Sequence, residues 1–373
     1  MGKIAEWLNE ARQQKMADVV VNDTLDDLKR RDLTVLDPYV PFKTYSSRDF
    51  TAYITEQINV LASVTAIGQE PPVTNQGTFR KITAEMTKTS LAHIWDEEFQ
   101  WRMKQAMEEA AYKRIQVNMS RDRDGKPVSG TNDDLAKFIF GTVERIARSN
   151  VELLNQMTWQ VLQYGKLDRT DPRTGIRLEL NYVNPHDTSY NHFPAAIAGT
   201  ARWSELTTAN GIQDLYDAVD DYLDTNGFAP DCIYMSRKLK NLLMQQTSTK
   251  NSASSLTVTQ VGTVSPNMLD ALTDARDIPR IKTYDEKYRN EFANQTIANS
   301  RFLNDNRFVF VKEKMGERAM GPTLENDGKE GIYVTTYEKE KVPPVDVTQS
   351  VAMVLPVFPD SKLMYSRQVT DSV

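Results

Sequence analysis

The feature that most limits this chain is one helical pattern running from residue 132 to residue 164. Apolar residues at Leu135, Phe138, Ile139, Val143, Ile146, Leu153, Leu154, Met157, Val161 and Leu162 fall three, four and seven apart, lining one helix face over about eight turns. Thr131, Asn132, Asp133 and Asp134 supply an N-cap and first-turn acids, and Gly165 supplies a stop. Lys166 then opens a turn-rich segment through Asp171, Pro172, Thr174 and Gly175. After it, Ile176, Leu178, Leu180 and Tyr182 alternate as in a strand. A long helix followed at once by a hairpin suits a large protein that positions partners, and little around it suggests chemistry.

The following stretch is a compact helical unit. Beyond Arg202, Trp203 and Ser204, residues 211–227 form a helical pattern closed by Gly227. Residues 228–236 read as a strand ending at Ser236, and residues 237–244 as a second helix. Residues 245–263, rich in Ser, Thr and Asn with few apolar anchors, are expected to form a mobile loop. Residues 265–272 look helical and 280–284 strand-like, and 307–311 form a strand after a turn at Asn304, Asp305 and Asn306.

These features in this order resemble the phage lambda-type major capsid proteins, the major capsid protein E family. The resemblance rests on the long helix, Leu162, Gln163, Tyr164, Gly165 and Lys166, and the hairpin at Thr174 and Gly175. It also rests on Arg202, Trp203 and Ser204, on the helix–Gly–strand–Ser–helix order, and on the apolar run 349–360. Together they span roughly the last two-thirds of the chain. The resemblance implies an α+β architecture, the Hong Kong 97-type capsid fold, with residues 132–164 as its spine helix. It implies an N-terminal arm over 1–63, an extended loop over 64–92, a peripheral domain over 93–208, and an axial domain over 209–330. Residues 331–373 are then C-terminal strands returning to the main body.

The upstream residues suit these roles. Residues 1–36 are charge-dense, with Leu25, Leu28 and Leu33 set among Asp26, Asp27, Lys29, Arg30, Arg31 and Asp32, as in an amphipathic helix or a solvated tail. Pro38 and Pro41 then break any helix and extend the chain. Residues 54–67 suggest a strand or short helix. Residues 73–90 are Thr-rich and strand-like, with Gly77 where a hairpin would turn. Such a ribbon has no core of its own to bury, which fits a loop reaching over a neighbouring subunit. Residues 93–112 look helical, with Ile94, Trp95, Phe99, Met103 and Met107 on one side as core.

The capsid resemblance makes Arg80, Lys81 and Lys88 candidates for subunit contacts, and Trp203 a candidate anchor at a domain junction or a plain core residue. Some capsids of this fold join Lys to Asn covalently; the lambda-type branch generally lacks that chemistry. The implied partners are further copies of the chain, as pentamers and hexamers in an icosahedral lattice, with a scaffolding protein, a portal and a decoration protein. The implied location is the virion, assembled in the host cytoplasm.

Composition and motifs set limits on the alternatives. With 40% hydrophobic and 26% charged residues, the 373-residue chain has the make-up of a globular protein, and no apolar run approaches a membrane span. A net charge of −6 argues against a dedicated nucleic-acid binder. A mildly acidic shell would touch enclosed DNA only weakly, since phosphate attraction grows with Lys and Arg contacts. Cys232 alone cannot form an intramolecular disulfide or a thiolate metal cage, and its apolar strand predicts burial.

His93 lacks the second histidine of a zinc-protease helix, and His186 and His192 flank a loop with no specified third ligand. Asp122, Asp124 and Gly125 lack the closing Glu of a calcium loop. Carboxylates clustered over 313–317 and 325–330 read as solvated faces. No catalytic, metal or cofactor residues are therefore assigned. Two rival readings remain: a bacterial nanocompartment shell of the same fold, and a soluble enzyme using clustered carboxylates.

Overall fold

Helix α1 spans Asn132–Tyr164, the limits expected from the sequence, and at about 1.5 Å per residue it is roughly 50 Å long. The computed structural model describes residues 35–55, 79–95, 98, 101, 132–171, 173–183, 193–257, 262–291, 297–339 and 345–371. Val143, Ile146, Leu154, Met157, Val161 and Leu162 on its apolar face are buried. So are Val151, within the same arc, and Trp159, beyond it, because the C-terminal half of the helix is enclosed by two sheets. Gly165 ends it at φ +67°, donating its N–H to the Val161 carbonyl at 2.7 Å.

The first sheet is built on β14 (Val345–Val357), which is buried along most of its length. β14 pairs antiparallel with β12 (Glu317–Gly321), with β13 (Tyr333–Lys339) and with β4 (Thr87–Trp95). β1 (Phe42–Thr44) adds to β12 in parallel. A strand covered on both faces reads as a continuous apolar run, as residues 351–358 do. Ala147, Val151 and Leu154 of α1 lie against Met320, Ala352 and Val354 of this sheet.

The second sheet has the order β15 (Tyr365–Gln368), β11 (Arg307–Val311), β7 (Cys232–Met235) and β8 (Arg280–Thr283). Alternation along its strands assigns its faces. Cys232, Tyr234, Val309 and Val311 face Met157, Trp159, Val161 and Leu162 of α1. Ile233, Met235, Phe308 and Phe310 face a layer of helices. That layer comprises α2 (Gly211–Asn226), α3 (Arg237–Gln245), α4 (Thr247–Thr257) and α5 (Pro266–Asp274). Ser236 and Ser265 cap α3 and α5, accepting from the Leu239 and Met268 amides. Among the described residues three two-stranded ribbons remain: β2 (Asp49–Thr55) with β3 (Phe79–Glu85), β5 (Lys166–Thr170) with β6 (Arg177–Asn181), and β9 (Lys287–Glu291) with β10 (Ile297–Arg301).

The structure corrects several expectations. Residues 247–257 are helical rather than a loop, because Gln246, Thr249 and Ala253 are buried against α2 and its neighbours, so packing overrides the poor helix propensity of Ser and Thr. Residues 93–95 end strand β4 rather than begin a helix; residues 98 and 101 are helical, and the remainder of 93–112 lies outside the described residues. The segment 64–92 is not one loop. Its residues 79–85 pair with 49–55, whereas 87–95 join the first sheet, where β14 offers a long hydrogen-bonding edge. β12 leaves the unit of residues 209–330 for the first sheet, and β15 leaves the C-terminal strands for the second. Residues 1–34, Gly77, Asp122, His186 and His192 lie outside the described residues.

At Gly165 an added Cβ would stand 2.3 Å from the Phe193 ring and 2.4 Å from Val183. Gly165→Ala is therefore expected to destabilise the protein by more than about 1 kcal/mol, combining the left-handed backbone with the clash, as read from the urea unfolding midpoint.

Candidate assembly surfaces

The segment entering β1 is fastened to the body at a single buried cation. Leu36, Tyr39 and Val40 are buried, and the backbone of this strap meets the 314–318 backbone, the Arg318 amide donating to the Pro41 carbonyl at 2.8 Å. Arg318 on β12 is fully buried. Its Nε donates to the Val40 carbonyl at 2.7 Å, one Nη to Asn155 Oδ1 of α1 at 2.5 Å, and the other to the Asp37 carboxylate. Its guanidinium also lies 3.7 Å from the centroid of the Phe42 ring. Burial pulls its pKa down to about 10, with Asp37 opposing, so it is still charged at neutral pH. One side chain thus joins the strap, the spine helix and the first sheet.

A second link lies farther in. Tyr39 Oη is 2.9 Å from Cys232 Sγ, and Lys282 Nζ donates to the same hydroxyl at 3.1 Å. Burial raises the Cys232 thiol, so it stays protonated and inert. The expected burial of this cysteine holds.

The sequence candidates fall into different settings. Arg80 and Lys81 lie on β3, opposite Ile54 and Tyr53 of β2, on a ribbon whose strands pair only with each other among the described residues. Lys88 instead sits on β4 inside the first sheet, opposite Met353, and pairs with Glu325 of its own chain. The Lys88 hydrogen bond holds the Glu325 carboxyl below its ordinary range. Beside it Leu324 is 92% exposed, an apolar knob on the surface.

Trp203 is fully buried, so its indole touches only its own chain, which removes it as a direct subunit contact. It stacks on Phe308 at 5.9 Å, and its Nε1 donates to Asp214 Oδ2 at 2.8 Å, tying the 193–210 connection to α2 and β11.

The β5–β6 ribbon projects with Ile176 69% exposed near its tip. Asp171 Oδ1 accepts from the Arg173 and Thr174 amides, each at 2.8 Å, and these bonds outweigh burial to hold its carboxyl below the ordinary range. Between this ribbon, α1 and β4 lies an open cleft of about 570 Å³, lined by Arg145, Arg148, Arg169, Glu152 and Asp171 among others. Within it Arg148 pairs with Glu152 at 2.8 Å, and Arg169 donates to Gln156.

The carboxylate clusters expected to be solvated are partly committed: Glu317 pairs with Lys43 at 2.9 Å and accepts from Tyr45. His93 meets the edge of the Trp95 ring. Among the described residues no group of three or more His, Cys, Asp or Glu side chains could hold a metal ion, and no helix is long and apolar enough to cross a membrane. Sequence reasoning passed over Arg318 and Asp37; an arginine between a glutamate and an alanine carries no local sign of burial.

No family profile matches the sequence, and no curated protein does. Solved structures do match. A protein described as the capsid protein of a prophage of E. coli CFT073 aligns over 94% of this chain and 99% of its own, at 14% identity and a TM-score of 0.54. A phage-related protein from Bordetella bronchiseptica RB50 covers 94% and 96%, at 13% identity and a TM-score of 0.49. A virus-like particle from Pyrococcus furiosus covers 94% and 98%, at 7% identity and a TM-score of 0.42. The first match carries the assignment: this chain has the Hong Kong 97-type capsid fold.

Replacing Arg318 by Ala strands Asp37 and Asn155 and is expected to cost about 3–5 kcal/mol of unfolding free energy. Replacing Lys88 by Ala breaks an exposed pair and is expected to cost less than about 1 kcal/mol. Because the Glu325 pKa is lowered in the fold, its small contribution is present at neutral pH and fades as pH falls through the carboxylate range. Denaturant unfolding of both variants at pH 7 and pH 4 checks all three expectations.

Proposed function

We propose that this chain is the major capsid protein of a tailed bacteriophage, many copies of which build the icosahedral shell around double-stranded DNA. The observation that carries the reading is the match to a prophage capsid protein over nearly the whole of both chains. The role is structural, and its work lies in surfaces that fit copies together.

In this reading α1 and the first sheet form the peripheral domain, and the second sheet with α2 to α5 forms the axial domain around five- and six-fold centres. The β2–β3 ribbon, bearing Arg80 and Lys81, reaches over a neighbouring subunit, and the strap fastened by Arg318 continues into the N-terminal arm. Lys88 and Leu324 lie where such a ribbon could land. Each contact is weak, and closed symmetry makes many act together. A scaffolding protein, a portal and a decoration protein complete the assembly, with the DNA held by weak contacts that ignore sequence.

Negative-stain electron microscopy of the protein, expressed alone and with its genomic neighbours, tests the reading. Closed shells or curved hexameric sheets are expected, with shells that need the neighbours marking a virus. Shells formed from the chain alone, loaded with a cargo enzyme, would point to a nanocompartment. Discrete small oligomers under both conditions would sink the shell reading.

A further inference from the structure

If copies of this chain tile a shell, as proposed above, they must touch, and the unit on the second sheet carries two surfaces that complement each other. Helix α2 holds five aspartates, Asp214, Asp217, Asp220, Asp221 and Asp224, and no lysine or arginine. All but Asp214 are exposed, and those four form no ion pair among the described residues. Spaced three and four apart, they repel one another along the helix, so the face is at a cost until cations approach it. Tyr216 and Leu223 stand among them, 38% and 43% exposed, while Ile212, Leu215, Ala218, Val219 and Tyr222 fill the core side.

The opposite character appears past β8. The first turns of α3, with β9 and β10, enclose a groove of about 550 Å³ lined by Arg237, Lys238, Leu242, Asp285, Lys287 and Arg301, among others. Its one carboxylate, Asp285, is already engaged: it accepts from Arg301 Nη1 at 2.6 Å and from the Arg237 amide at 3.1 Å. Lys238 and Lys287 are exposed and enter no ion pair among the described residues. Leu242, partly buried, gives the groove an apolar patch.

The two surfaces lie at opposite edges of one sheet. The C-terminal half of α2 is beside the segment that feeds β15, with Tyr222 Oη donating to the Leu363 carbonyl at 3.3 Å and Asn226 Nδ2 to the Lys362 carbonyl at 3.1 Å. The groove follows β8, and β15 and β8 are the two outer strands. A chain cannot satisfy its own acidic face with its own groove, but a second copy can. We propose that the acidic face of α2 docks into the α3–β9–β10 groove of the next copy, with Leu223 against Leu242 and the aspartates against Lys238, Lys287 and Arg237. This contact joins unlike surfaces, so its repetition builds a ring where the rotation between successive copies closes on five or six of them. Its charges make ring formation sensitive to salt.

Charge reversal tests the pairing. Two variants, Asp220→Lys with Asp221→Lys and Lys238→Glu with Lys287→Glu, are compared with the wild type and with the chain carrying all four changes. All are expressed with the genomic neighbours, checked for folding by circular dichroism, and sedimented to recover assemblies. Each two-site variant is expected to lose about tenfold or more of the sedimenting material, and the four-site chain to recover it with the polarity of the contact reversed. Full assembly by either two-site variant would overturn the proposal while leaving the shell reading intact. Loss in both without recovery in the four-site chain would also overturn it, by showing that the two faces do not meet. Failure of the wild type to assemble at all would remove the shell reading itself.

Discussion

The fully buried guanidinium of Arg318 is the interaction on which the arrangement of this protein depends. Removing such a cation from water is costly, and the cost is met only because each face of the group has a partner. The Val40 carbonyl, Asn155 and Asp37 accept its hydrogen bonds, and the Phe42 ring covers it. The hydrogen-bonding partners come from the strap and the spine helix, while Arg318 itself and Phe42 come from the first sheet. The strap can therefore dock in one place only, because any shift would leave a buried charge without partners. For a protein whose N-terminal segment is proposed to reach other subunits, a fixed point of departure decides where that segment can go.

The spine helix gains its rigidity from being enclosed. Its central turns lie on the first sheet and its last turns on the second, where Trp159 stacks on Tyr284 at 4.8 Å and meets the edge of Tyr234. A polar seam fixes its register on the first sheet: Asn150 accepts from Thr89 and donates to Ser350, and Ser350 donates to the Ile146 carbonyl. Each of these buried polar groups has a partner, so sliding the helix by one residue would break several bonds together. Joined this way, the two sheets form one body, which suits a proposed shell plate loaded at its edges.

Much of this was legible before the structure. The limits of α1, the Gly227 end of α2, strand β11 and the hairpin after Gly165 follow from periodicity, capping and turn chemistry, which act over a few residues. The errors share a cause. Helix α4 was hidden because Ser and Thr have weak helix propensity, and burial of Thr249 and Ala253 supplies what propensity lacks. Strand β4 was taken into a single loop because its long-range partner β14 lies more than two hundred residues on, beyond the reach of any local pattern. Of the four assembly candidates, Arg80 and Lys81 fall on a two-stranded ribbon made with residues 49–55 rather than on a hairpin within 73–90, Lys88 on the body sheet, and Trp203 inside the core.

The sequence by itself determined the spine helix, the hairpin that follows it, the burial of Cys232 and the absence of recognisable catalytic or metal-binding motifs. Each of these depends on neighbours in the chain or on composition. Only the tertiary structure decided which strands share a sheet, that β12 and β15 exchange units, and that Arg318 is buried rather than solvated. It also set the acidic face of α2 and the basic groove beyond β8 at opposite edges of one sheet. The physical reason is that strand pairing and the burial of a charge are settled between residues far apart in sequence, whose meeting no local pattern records.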